Sequence, residues 1–197
     1  MYRLTFLGTA LALSVLLSVQ NAWALGPGGG DITGTTPLVF LTGSNSARVL
    51  PGANVSYLDA YDQSSVDVLG GEVSYLTLHN QARGKVNGGI ISYLQVYDSS
   101  RAEVRKVDDL SWLFLRGAGE AHVYGRNLFY SSGHLFGQWE NGSAFQFWAL
   151  RDDNPGTPPP IGPMPTGLFL HSIPEPATAW LALGVACVAF GRRRSKA

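Results

Sequence analysis

One cysteine, Cys187, is present in the chain, and it falls in an apolar stretch near the C-terminus. The body of the protein therefore has no thiol partner for a disulfide, a paired-thiol redox centre or a thiolate metal site, and its stability must come from packing and backbone pairing. Charge is also scarce, at 14% of residues. Between residues 25 and 176, nine basic side chains face fourteen acidic ones, a net of −5, so the body offers no electrostatic reason to bind nucleic acid. Catalytic and cofactor motifs are missing too. No Gly-x-Ser-x-Gly elbow, His-Glu-x-x-His, P-loop or EF-hand spacing occurs, and the four histidines, His79, His122, His134 and His171, share no metal-ligand spacing. These absences predict a non-enzymatic protein without a cofactor.

Glycine is plentiful, at 24 of 197 residues, and the most regular pattern in the chain is an internal repeat. Val55-Ser56-Tyr57-Leu58, Val73-Ser74-Tyr75-Leu76 and Ile91-Ser92-Tyr93-Leu94 recur at an interval of 18, and Leu110-Ser111-Trp112-Leu113 follows at 19. A degenerate earlier copy runs from Val39 to Gly52, where Leu41 matches Ala60 and Val49 matches Val68. Each unit holds two short alternating runs, broken by Asp-x-Ser and closed in the clearest copies by Gly-Gly, which is the pattern of strands and tight turns. One unit cannot bury its own apolar face. Stacking in register puts Leu58, Leu76, Leu94 and Leu113 in one inward column and Val68, Val86, Val104 and Val123 in another. The expected fold is all-β, a small parallel β-solenoid of about five rungs over residues 37–127. Its inward offsets of 0, 3, 5, 11 and 13 do not divide into three even sides. A β-sandwich of antiparallel hairpins is the alternative, and it would not require a constant interval.

After Asn127 the period ends. Leu135 to Gln138, an Asn141-Gly142 turn and Phe145 to Phe147 predict an aromatic hairpin over residues 128–150, placed to cover the open strand edges of the solenoid. Residues 25–36 read as a flexible start. The proline-rich residues 151–172 read as a stiff extended linker.

The two ends have a different character. Residues 1–24 combine Arg3, an apolar run and the small-x-small site Ala22-Trp23-Ala24, the pattern of a signal peptide for Sec translocation, with an uncleaved anchor as the alternative. At the other end, Ile173-Pro174-Glu175-Pro176 precedes the uncharged stretch Ala177 to Gly191 and the cluster Arg192, Arg193 and Arg194. Those 15 residues would span roughly 22 Å as a helix, a short transmembrane length. Positive charge beyond each apolar segment points both ends inward and leaves the body outside.

The order Pro174-Glu175-Pro176, short apolar segment and Arg192–Arg194 over residues 173–197 resembles the PEP-CTERM sorting signal of Gram-negative bacteria that make extracellular polysaccharide. The resemblance implies an exosortase-like membrane enzyme as processing partner, transient inner-membrane anchoring and delivery to the outer surface or extracellular matrix. It covers about 25 residues and implies nothing about the body of the protein.

Two columns in the repeat are candidates for a site. Tyr57, Tyr75, Tyr93 and Trp112 form either a ligand-facing strip that stacks on sugar rings or a ladder that sets register. Asp62, Asn80 and Asp98 form either an oxygen-rich calcium or acid site or a line of turn residues, since Asp and Asn tolerate left-handed backbone; the second is preferred. His79 takes the place of Tyr61 and Tyr97 and reads as a rung variant. The expected role is structural or adhesive, with polysaccharide as a candidate partner; a carbohydrate-active enzyme and a membrane-retained surface protein are the rivals.

Overall fold

The structure, a computed structural model, describes Trp23–Ala24 and residues 29–152 and 162–174. The signal-peptide core, Ala22, the apolar tail with Glu175, Pro176 and Arg192–Arg194, and most of the proline run lie outside the described residues. No helix occurs among the described residues, and none there is long and apolar enough to cross a membrane.

Each rung consists of one long and one short strand. The long strands are β3 (Thr35–Leu41), β5 (Asn54–Ala60), β7 (Glu72–Leu78), β9 (Ile90–Val96) and β11 (Asp109–Leu115). Their short partners along the chain are β4 (Ser46–Val49), β6 (Ser65–Val68), β8 (Arg83–Asn87), β10 (Arg101–Lys106) and the first four residues of β12 (Glu120–Ser131), which then runs on beyond the rung. Long strands pair in parallel with long strands, and short with short. The result is a two-sheet parallel β-solenoid of five rungs, which excludes the antiparallel sandwich. Strand β2 (Gly30–Ile32) extends the short-strand sheet by pairing with β4, and β1 (Trp23–Ala24) pairs with Val39 and Phe40.

The inward columns follow the expected register. Leu58, Leu76, Leu94 and Leu113 are paired rung to rung and fully buried, as are Val68, Val86, Val104 and Val123. The offset of three between Val55 and Leu58 has a local cause: alternation breaks at Ser56-Tyr57, and neither residue enters the core. Volumes compensate across the rung. Leu41 goes with Ala47, Ala60 with Val66, Leu78 with Gly84, Val96 with Ala102 and Leu115 with Ala121. In the third pair a Cβ on Gly84 would lie 2.8 Å from Leu78 Cδ1, so a larger residue is accepted only where its neighbour shrinks.

The corners explain the two intervals. After each long strand the chain passes through left-handed backbone at Gly43, Asp62, Asn80, Asp98 and Gly117, positions where Gly, Asn and Asp carry the smallest penalty. After the short strands the corner is tighter. A Cβ on Gly71 or Gly89 would meet a carbonyl oxygen of the preceding rung at 2.7 Å. The second corner absorbs the extra residue of a 19-residue rung, at Leu50–Ala53 and again beside the irregularity between Val104 and Lys106 of β10.

Three boundaries differ from the sequence expectation. The start at residues 25–36 is already ordered into rungs from Gly30, because Asp31 and Ile32 pair with Arg48 and Val49. The hairpin at 128–150 is part of a three-stranded antiparallel meander in which β12 turns into β13 (His134–Gln138) and then β14 (Ala144–Arg151). Strand β14 rejoins the long-strand sheet alongside β11. The segment 151–172 is not a free linker throughout: β15 (Leu168–Ser172) pairs in parallel with β12, and its Leu168 is buried. Apolar Leu168 and Leu170 alternate at period two, a strand signal that the neighbouring prolines obscure.

Candidate functional site

The break in alternation at Ser56-Tyr57 turns one aromatic side chain outward at the same position on the second to fifth rungs, where the first has Leu38, and register superposes them. Tyr57 stacks on Tyr75 with ring centroids 4.9 Å apart and 8° between planes, and Tyr75 on Tyr93 at 4.7 Å and 4°. Trp112 continues the column 6.5 Å beyond Tyr93 and stacks 5.2 Å from Trp148 of β14. Phe114 packs beside Trp112 at 5.7 Å. Along the interior of this ladder each ring face lies against another ring, so edges rather than faces meet water. A sugar stacking through its C–H face needs an open ring face, and the ladder offers little of that; the geometry suits offset stacking that fixes register.

The strip continues past the residues that the repeat reveals. His134 lies 3.6 Å from Trp148, Phe136 follows at 5.8 Å, and Phe129 stacks on Phe136 at 4.7 Å and 7°. These rings come from three antiparallel strands outside the repeat, so no periodic signal marked them.

The Asp62, Asn80 and Asp98 column forms the left-handed corners and bonds from rung to rung. The Gly43 N–H donates to Asp62 Oδ2 at 3.0 Å, the Asn80 side-chain amide donates to Asp62 Oδ1 at 3.2 Å, and the Asn80 backbone N–H donates to Asp98 Oδ2 at 3.1 Å. That is the turn reading, with the central Asn relieving the repulsion of two stacked carboxylates. Beside it Tyr61 and His79 stack at 4.5 Å and 2°, with Tyr97 edge-on at 5.3 Å. Burial, then nearby Asp59, raises the Tyr61 pKa, and burial, then Asp152, raises that of Tyr97, so both phenols stay neutral. Among the described residues no group of three or more His, Cys, Asp or Glu is arranged to hold a metal.

The outer face of the short-strand sheet carries a pattern of another kind. Asp31, Arg48, Asp67, Lys85, Glu103 and His122 are neighbours on successive rungs, and charge alternates in sign from Asp31 to Glu103. Arg48 holds Asp31 through two bonds of 2.7 and 2.8 Å. At the top, His122 Nδ1 lies 2.9 Å from His171 Nε2, a hydrogen bond that fastens β15 to β12. Burial, then His122, lowers the His171 pKa. These two histidines are 49 residues apart in sequence, and no motif could have joined them.

Ala24 pairs in β1, Pro174 is exposed two residues beyond β15, and the remaining sorting-signal residues lie outside the described residues. In comparisons with known proteins, no family model, curated protein or solved structure matches the chain.

Proposed function

We propose that this chain is an exported structural or adhesive component of the cell surface or of an extracellular polysaccharide matrix, sorted through its C-terminal tail by an exosortase-like enzyme. One observation carries the structural role: side chains that attract one another are superposed rung after rung, leucine and valine inside, rings on one outer face and opposite charges in a column of the other, so that much of the outer surface is spent on holding its own stack. Supporting export are the Ala22-x-Ala24 site and, at the other end, Pro174-Glu175-Pro176, an apolar segment and Arg192–Arg194 in that sequence order. The exit of β15 two residues before Pro174 fits a folded body that precedes the sorting signal directly.

Mass spectrometry of the protein recovered from native cells and their matrix tests this. The mature form should begin near Leu25, lack Arg192–Arg194 and fractionate with the outer surface or matrix. A full-length chain retained in the inner membrane would overturn the sorting role and leave a membrane-anchored surface protein.

A further inference from the structure

We infer that the antiparallel cap carries a binding groove for a neutral polysaccharide, centred on Phe129. The lining of the groove includes Asn127, Phe129, Phe136, Gln138 and Gln146, with Ala144 among its small members, and its volume is about 490 Å³, within the usual range for ligand sites. Register explains the arrangement. Phe129, Phe136 and Gln146 stand side by side on β12, β13 and β14, and Gln138 pairs with Ala144 in the next row. Strand β12 is irregular between Arg126 and Phe129, and Asn127 there takes a φ of 51°. Such a bulge re-aims side chains, here bringing an amide to the groove edge.

The chemistry of the lining selects the ligand. Phe129 is 57% exposed, with one ring face against Phe136, so unlike the Tyr75 ring it can offer a face. Three primary amides surround it, each presenting donors and an acceptor. An aliphatic ligand would leave those amides unpaired, which is costly on closure. A sugar ring supplies both halves: apolar C–H bonds for the aromatic face and hydroxyls around its rim for the amides. None of the lining residues carries a formal charge, which is complementary to a neutral polymer and gives no counter-charge for an acidic one. The inference rests on the matrix role proposed above, and it assigns recognition to the cap rather than to the solenoid ladder.

Affinity electrophoresis of the full chain through gels containing dextran, glucomannan or a β-1,3-glucan, with acidic alginate for contrast, tests it. Retardation by at least one neutral polymer is expected, weakened by roughly tenfold or more in Phe129→Ala and in the near-isosteric Gln146→Leu. Tyr75→Ala should bind as the wild type does. Because Phe129 is mostly exposed, Phe129→Ala should melt close to wild type, which separates lost binding from lost fold. Retardation by alginate alone, binding that survives Phe129→Ala, or binding lost in Tyr75→Ala would each overturn the site. So would a wild-type dimer that Phe129→Ala converts to monomer in sedimentation, since the groove would then hold a second copy. If no neutral polymer binds but the native protein is still found processed in the matrix, the groove fails while the structural role stands.

Discussion

The two outer faces of the solenoid solve the same problem in opposite ways. Parallel stacking in register places every residue about 4.8 Å from its counterpart on the next rung. Rings gain from that identity, so the long-strand face repeats Tyr57, Tyr75 and Tyr93 and then changes only to Trp112 and Trp148. Charges are penalised by it. One column of the short-strand face therefore reverses sign at each step from Asp31 through Arg48, Asp67 and Lys85 to Glu103, whereas in the column beside it Arg83 and Arg101 are neighbours, and Arg101 turns to Glu103. The corner column combines both solutions, with Asn80 between Asp62 and Asp98. In these three columns, which residues repeat and which alternate follows whether like attracts like.

The largest expected effect lies in the core that the two faces share. Replacing Leu94 with Asp would put a carboxylate between Leu76 and Leu113, all fully buried, at a cost of several kcal/mol. That is comparable with the roughly 5 to 15 kcal/mol of a whole domain, and the variant should be unfolded or melt far below wild type by circular dichroism. A wild-type melting curve would place Leu94 outside the core. On the aromatic face, Tyr75→Ala removes a ring stacked on both sides and should cost about 1 to 4 kcal/mol in chemical denaturation. If instead stability were unchanged, the ladder would be decoration rather than support. On the charged face, Lys85→Glu removes the one cation between Asp67 and Glu103 and leaves three consecutive rungs acidic. The loss should be only a few tenths of a kcal/mol and should shrink at high salt; an equal loss at low and high salt would show that charge alternation is not its cause.

The solenoid was legible because its interior repeats. Offsets counted from Val55 located Leu58, Ala60, Val66 and Val68, and all five residues are fully buried. The Tyr57 column was legible for the same reason. The charge column could have been found at the same interval, but alternation of sign hides a repeat from a search for identity. Elsewhere the signal ended with the period. Trp148 reaches the aromatic strip because the meander returns β14 to the side of β11, Phe129 through antiparallel pairing with β13, and β15 docks on β12 through His122 and His171. Those contacts depend on turn geometry and on residues far apart in sequence, and no local pattern encodes them. The order found from Gly30 onward was hidden for another reason, since short Gly-Asp-Ile gains a partner only once β4 is in place.

The rung-to-rung pairing also sets an order of assembly. Leu94 finds its partner Leu76 only 18 residues back, a short closure for a β protein, so folding need not wait for distant segments. Each rung can form on the one before it, as in other stacks with nearest-neighbour energetics. A chain exported across a membrane N-terminus first would deliver each new strand to a finished edge, and the hairpin of β13 and β14 would arrive in time to close the last one. Growth would then proceed in one direction, with little unpaired strand exposed at any moment.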